Sequence, residues 1–310
     1  MCSGGKSSLP GWFAVALLCA WAGMASSVQA QRGANLDAVR IETVRIADGF
    51  YVLVGEGGNI LVSVGDDGIL LVDAQYAPLH QKILDALRKI SQQPIRFLIN
   101  THDHLDHTGG NELMAKAGAT IVAHENVRKR LSDGQQAAGG AQGTAPASKQ
   151  ALPTVTYSDS MTLHFNADEV QIFHVDAAHT DGDSVVYFRR ANLMHVGDLP
   201  SSIRYPRIGA GGSVDGMISA AEWIVQTGNP NTKIIPGHIG TAVGVQEVQQ
   251  QRDMFVTVRD RIRGDIRAGK TLEQVIASKP TAEFDESRKG SLAPEAFVTL
   301  LYQFLSKGTP

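Results

Sequence analysis

Two hydrophobic rhythms alternate along the chain, and their order predicts the architecture. From 41 to 74 the segments "IETVRI", "FYVLVG", "NILVSVG" and "GILLVDA" are β-branched runs divided by the turn-forming groups "ADG", "EGG" and "GDDG", so this stretch reads as a meander of short strands. At 79–90 ("LHQKILDALRKI") the spacing becomes helical, with Ile83, Leu87 and Ile90 on one face, and "PIRFLIN" returns to strand. A helix over 110–117, a strand "ATIVAH" and a short helix over 127–131 follow. Residues 132–153, rich in Gly, Ala, Gln and Ser, read as a long mobile surface loop placed to overhang a site.

A second strand block comprises "TVTYS", "MTLHF", "VQIFHV", "SVVYF" and "LMHVGD". Then come a helix over 214–226, a strand "TKIIPGH" ending in His238, and a largely helical remainder from about 245 to 310. Strands followed by helices thus occur twice. Two such halves predict an α/β fold of two facing sheets with helices on the outer faces, an αββα sandwich, in a single domain over 31–310 with no dividing linker.

The first thirty residues stand apart from this pattern. Lys6 supplies a positive start, residues 12–24 an apolar stretch, and "SSVQA" a small-residue end at Ala30, which together read as a secretory signal cut after Ala30. Ser26, Ser27 and Gln29 interrupt the stretch before it reaches transmembrane length, so no stable membrane insertion is expected. The expected location is periplasmic or secreted. Both cysteines, Cys2 and Cys19, fall inside the signal, leaving the mature chain without a disulfide or a thiolate ligand. With a formal net charge of -3 and no basic cluster, nucleic acid is not an expected partner.

The chemistry concentrates in "THDHLDHTGG", residues 101–110, where three histidines and two aspartates follow an apolar strand. On a helix His102 and His104 would diverge, whereas on extended backbone they share a face. The spacing therefore predicts that the strand runs on to about His104 and then turns, so that Asp106 and His107 project from the bend before Gly109 and Gly110. A merely solvated loop is a poor alternative, because crowded unpaired groups behind a buried strand cost desolvation. Imidazoles and carboxylates without cysteine suit Zn²⁺ best, with Fe or Mn as alternatives. The set is too large for one tetrahedral ion, which points to two metals. Three further candidates stand at strand ends: His179 in "AAHTDGDS", Asp198 in "MHVGDLP" and His238 in "IIPGHIG". Asp183 is expected to orient a ligand or cap the His179 turn, and His195, three residues before Asp198, reads as a packing residue, with a place behind that ligand as the alternative. Arg204, Tyr205 and Arg207 are expected to line the pocket, an arginine meeting a substrate carboxylate. His80, His124, His164 and His174 read as packing or surface residues.

"HDHLDH", then His in "HTDGD", Asp in "VGD" and His in "PGH", in that order, resemble the metallo-β-lactamase superfamily over nearly all of the mature chain. The resemblance implies an αββα sandwich, one zinc on His102, His104 and His179, a second on Asp106, His107 and His238, and Asp198 bridging both. It implies a hydrolase in which hydroxide held between the zincs attacks a carbonyl carbon of a small acyl substrate, with Asp106 as the catalytic proton acceptor. The best-known β-lactamases of the superfamily place cysteine near Asp198, whereas this chain is similar to the all-His/Asp members: glyoxalase-II-like thioesterases, lactonases and one β-lactamase subclass. The expected substrate is a β-lactam or related cyclic amide or ester. A lactone or thioester is the alternative, and an iron-dependent persulfide dioxygenase the more distant one. The "EGG" turn at 56–58 lacks the apolar flap of well-known β-lactamases.

Overall fold

The four β-branched runs form an antiparallel meander in the computed structural model, which describes residue 1 and residues 35–134, 144–201, 204–288 and 292–307. Apart from Met1, the signal segment and its cleavage point lie outside the described residues. The meander is β1 (Glu42–Ala47), β2 (Phe50–Val54), β3 (Ile60–Gly65) and β4 (Gly68–Val72). Helix α1 (His80–Ile90) then carries the chain back, so that β5 (Ile95–Ile99) pairs parallel with β4. A one-turn helix α2 (Leu105–Thr108) and α3 (Asn111–Lys116) lead into β6 (Thr120–His124), again parallel, followed by α4 (Glu125–Asp133). With β7 (Val155–Tyr157) the first sheet has seven strands in chain order.

The second sheet holds β8 (Ser160–Phe165), β9 (Asp168–His174), β10 (Ser184–Phe188), β11 (Leu193–His195) and β12 (Lys233–Ile235), ordered β12-β11-β10-β9-β8. Helix α5 (Val214–Thr227) makes the crossover between the parallel pair β11 and β12. Helices α6 (Val245–Arg267), α7 (Leu272–Ala277) and α8 (Pro294–Ser306) complete the chain, as the helical pattern beyond 245 led one to expect.

Three apolar layers hold the sandwich. Between the sheets, Phe50, Val52, Leu61, Leu70 and Ile99 of the first meet Ile172, Val186, Phe188 and Ile235 of the second, with Phe50 edge-on to Phe188 at 5.1 Å. On the outer face of the first sheet, Leu53, Val62 and Leu71 pack against Ile83 and Leu87 of α1 and Met114 of α3. On the outer face of the second, Val185 and Met194 pack against Met217 and Ile224 of α5, Phe255 of α6 and Phe297 of α8. Strands covered on both faces explain the unbroken runs such as "GILLV", which is buried throughout. The fold is the αββα sandwich. Leu36–Pro310 hold together as one unit, distinct from Met1–Asn35. No helix among the described residues is long and apolar enough to cross a membrane.

Four local expectations need correction. "TVTYS" does not open the second sheet: β7 extends the first one, parallel to β6. Strand β5 stops at Ile99 rather than continuing to His104. Strand β12 stops at Ile235, three residues before His238, because Pro236 has no N–H with which to continue the ladder. Within 132–153, α4 persists to Asp133, and the stretch after residue 143 is packed, Ala147 and Leu152 lying against Ala123, Val127 and Leu131. Residues 135–143 lie outside the described residues.

Candidate metal centre

The loop after β5 is shaped by buried hydrogen bonds. Asn100 and Asn111 exchange side-chain hydrogen bonds of 3.0 and 2.8 Å, closing the base of the 101–110 segment. Asp73, just beyond β4 with φ of 68°, accepts from Thr101 N and Thr101 Oγ1, both at 2.8 Å. Residues 101–103 bend, His104 is extended at the N-cap of α2, and Asp106 and His107 project from that single helical turn. His102 and His104 therefore converge through a bend stapled to Asp73 and not through strand pleating.

Three of the imidazoles, His102, His107 and His179, have Nδ1 engaged outside the cluster, which fixes the direction in which Nε2 points. The hydroxyl of Thr101 gives its proton to Asp73, so its oxygen accepts from His102 Nδ1 at 3.1 Å. His107 Nδ1 donates to Asp73 Oδ2 at 2.7 Å, and His179 Nδ1 to the carbonyl of Arg207 at 2.9 Å. The Nε2 atoms of all three are thereby turned inward. His104 completes the first group through Nδ1, 3.2 Å from His102 Nε2 and 3.0 Å from His179 Nε2. Burial, reinforced by the neighbouring imidazoles, pushes the pKa of His102 well down and that of His179 to about 3. Both rings are thus neutral near pH 7, the form in which imidazole binds a metal.

Asp106, His107 and His238 form a second group: His238 Nε2 lies 3.1 Å from Asp106 Oδ2 and 3.3 Å from His107 Nε2. Asp198 stands between the groups. Its Oδ2 is 3.7 Å from His179 Nε2, and its Oδ1 is 3.5 Å from His107 Nε2 and 3.4 Å from His238 Nε2. Burial opposes ionisation of Asp106 and Asp198, but facing His107 and His238, and for Asp198 also Arg204, hold both carboxyls below the ordinary range. Burial likewise opposes a charge on His107, yet Asp73, Asp106 and Asp198 outweigh it and raise its pKa well above normal. A field that holds a proton on a buried imidazole also attracts a cation. Asp198 Oδ1 is buried and accepts no hydrogen bond from the described residues. Converging imidazole lone pairs beside such an orphaned carboxylate oxygen fit two cations, and divalent metals in particular.

Two glycines keep the groups at close quarters. A Cβ on Gly58 would fall 2.4 Å from His107 Cε1, and one on Gly237 2.3 Å from Asp198 Oδ1. The short "EGG" turn thus touches the centre, with Gly58 N donating to Asp106 O at 2.9 Å.

All seven candidate ligands meet here, together with their supports. Asp183 caps the His179 turn, accepting from His179 N at 2.6 Å, Thr180 N at 2.9 Å and Thr180 Oγ1 at 2.7 Å. Burial raises its pKa to about 8, those donors acting against the shift. His195 is wholly buried behind Asp198, its Nε2 3.1 Å from the Asn59 carbonyl and its Nδ1 3.3 Å from Gly197 N. The pocket-lining trio is divided. Arg204 pairs with Asp198 at 3.2 Å and so is committed to the centre, not offered to a substrate carboxylate. Arg207 is exposed, and its carbonyl anchors His179. Tyr205 does not line the pocket: it is buried, stacked on Phe297 at 4.6 Å, and donates to Asp285 at 2.8 Å, because it turns into the helical layer. His164 is exposed on β8, His80 starts α1, and His124 and His174 stack on one another at 3.7 Å.

Three residues were not among the sequence candidates. Asp73 has a signal in hindsight, an acid closing the wholly buried run "GILLV". Asn59 clamps the His238 loop through Nδ2 to Pro236 O and Gly240 O, each 2.8 Å. Tyr76 sits beside Asp106, its phenol pushed up to about 12 by burial and then by that carboxylate. Neither Asn59 nor Tyr76 carries a sequence signal, since both act through loop contacts.

Fold and centre together define an αββα protein whose His/Asp cluster can hold metal ions. The family model for the metallo-beta-lactamase superfamily matches residues 50–238, more than half of the chain, and the chain belongs to that superfamily. Its members are generally hydrolytic enzymes that bind divalent metals. Among curated relatives, the 2,4-dinitroanisole O-demethylase subunit alpha of Nocardioides sp. is 27% identical over 52% of this chain and 44% of its own. A hydroxyacylglutathione hydrolase of Pelagibacter ubique is 26% identical over 35% of this chain and 38% of its own. The match thus spans less than half the length of either relative. A stereoselective inverting sec-alkylsulfatase from Pseudomonas sp. superposes with a TM-score of 0.68 at 18% identity, covering 85% of this chain and 50% of that one. A metallo-beta-lactamase from Pontibacter korlensis gives 0.57 at 18% identity over 70% of this chain and 99% of that one. At such identities these structures speak to the fold.

Proposed function

We propose that this protein is an exported hydrolase using two zinc ions per chain to cut an acyl bond, a β-lactam or related cyclic amide or ester being the substrate. One observation carries the reading: His102, His104 and His179 form one ligand group, Asp106, His107 and His238 a second, and Asp198 lies within 3.7 Å of both. Bound there, zinc would supply Lewis acidity toward a carbonyl and acidify water.

The chain's own groups do the rest. Asp106, ionised despite its burial and beside His238, is a proton acceptor at neutral pH. Asp73 orients His107 directly and His102 through Thr101, so one carboxylate sets the direction of a ligand in each group. Arg204 offsets part of the negative charge at Asp198. Export follows from the reading of the first thirty residues and favours a substrate met outside the cytoplasm. The hydroxyacylglutathione hydrolase relative supports a thioester as the second reading. An oxygenase with one iron on the first group would leave Asp106, His107 and His238 without a role.

The test is metal analysis with a rate panel on purified mature protein: a chromogenic cephalosporin, an acyl-homoserine lactone, a glutathione thioester and, given the demethylase relative, 2,4-dinitroanisole. Chelator-sensitive turnover of the cephalosporin or lactone is expected. His104→Ala is expected to lower metal content and abolish that turnover, and His164→Ala to leave both intact. One iron per chain with oxygen uptake, or equal losses in the two variants, would contradict the proposal.

A further inference from the structure

Beside the metal centre the surface changes character. Large apolar side chains exposed among the described residues are few: apart from Met1 they are Leu105 at 40%, Val155 at 38% and Ile239 at 46%. Two of the three are chain neighbours of candidate ligands. Leu105 lies between His104 and Asp106, and Ile239 follows His238, whose Nε2 is 3.1 Å from Asp106 Oδ2. Leu105 and Ile239 therefore flank the same pair of ligands. Tyr76 adds an aromatic ring on this side, since a Cβ on Gly57 would lie 3.2 Å from Tyr76 Cε2 and 3.3 Å from Asp106 Cβ.

Ile239 is also held in an unfavourable backbone state. Its φ is 55°, where a β-branched side chain is strained. The loop enforces this conformation. Ile234 and Val243 close its base with hydrogen bonds of 2.9 and 2.8 Å, Asn59 binds Pro236 O and Gly240 O, and Gly237 N donates to Gly197 O at 2.7 Å. Strain of this kind persists where the surroundings over-determine it, and it gathers at ligand-contacting positions. With 46% of its surface exposed, Ile239 draws only part of what burial offers against that strain, and something that binds over it would supply the rest.

We infer that Ile239 and Leu105, with Tyr76, form an apolar wall that receives an uncharged alkyl or aryl group of the substrate. The inference rests on the metal-dependent reading above and adds the substrate's shape: an apolar arm next to the bond that is cut. Arg204 is paired with Asp198 and so is not offered to a charged group on this side.

The test uses straight-chain hydroxamates as unreactive metal-binding probes, aceto-, butyro- and hexano-, titrated calorimetrically into the zinc-loaded protein. A methylene that leaves water fully is worth about fourfold in affinity, so partial burial should tighten Kd by about tenfold or more from aceto- to hexanohydroxamate. Ile239→Gly and Leu105→Ser should each flatten that gradient severalfold at unchanged zinc content. Ile239→Gly should melt no lower than wild type, since glycine is at ease at this φ; a lower melting point would overturn the assignment of strain. Hydroxamates bound with no chain-length dependence, or variants that keep the full gradient, would overturn the wall alone. Failure to bind any hydroxamate would sink it together with the metal reading, whereas a steep gradient without turnover on the rate panel would sink only the hydrolase.

Discussion

At the residue scale the governing fact is that one buried carboxylate outside the ligand motifs, Asp73, aims a ligand in each group. Asp73 is wholly buried, receives Thr101 and His107, and through Thr101 orients His102. Supports of this kind typically carry 10- to 100-fold in metal affinity. Asp73→Asn should therefore weaken metal binding by about that factor in a chelator competition while leaving the seven ligands in place; unchanged affinity would show that the ring directions are fixed otherwise. The buried imidazoles also predict how metal-free protein responds to pH. Between pH 6.5 and about 3 the unfolded chain binds a proton at His179 that the folded chain refuses, so stability falls as pH drops through that window, by up to about 1.4 kcal/mol per unit. His102 acts in the same direction. His107 acts oppositely: its raised pKa stabilises fully below 6.5, and that contribution is lost as pH rises through the folded value. Thermal melts of chelated protein should accordingly show a stability maximum near pH 6.5, and a monotonic rise from pH 5 to 9 would refute this assignment of charges.

At the element scale, strand ends deliver the ligands and loops aim them. The sequence pattern located nearly every strand, because strands covered on both faces must be apolar throughout, and it located the ligand-bearing loops because they follow those runs. It misjudged where β5 and β12 stop. Periodicity records burial, and Asn100 to Asp103 are as buried as a strand while their backbone bends, held by Asp73 and by the Asn100–Asn111 pair. It also placed Tyr205 at the pocket, since an aromatic ring after a ligand loop reads the same whether it faces substrate or the α8 layer. Asn59 shows why loop supports stay hidden: it lies 177 positions from the carbonyl of Pro236 that it binds. Asn59→Ala should remove two hydrogen bonds from the His238 loop, destabilise the protein by about 1–3 kcal/mol in denaturant melts, and cost metal from the second group before the first. A variant with unaltered stability and full metal content would show that the loop holds itself.

For the molecule as a whole, the two sheets converge so that residues up to 136 positions apart, from His102 to His238, share one pocket. The αββα layering was legible because strand blocks and helices repeat, and the centre was legible because ligand-type side chains crowd at strand ends. Substrate choice was not, because features such as the exposure and backbone conformation of Ile239 have no signature in a one-dimensional pattern. Metal bound to the folded state alone must stabilise the whole sandwich, so the melting temperature should rise on zinc addition and fall on chelation. The most direct measurement of the central claim is elemental analysis of the purified protein after zinc loading and desalting, on wild type and Asp198→Ala side by side. Close to two zinc ions per wild-type chain, and clearly fewer in the variant, is the predicted result; one ion or none in wild type would contradict the account.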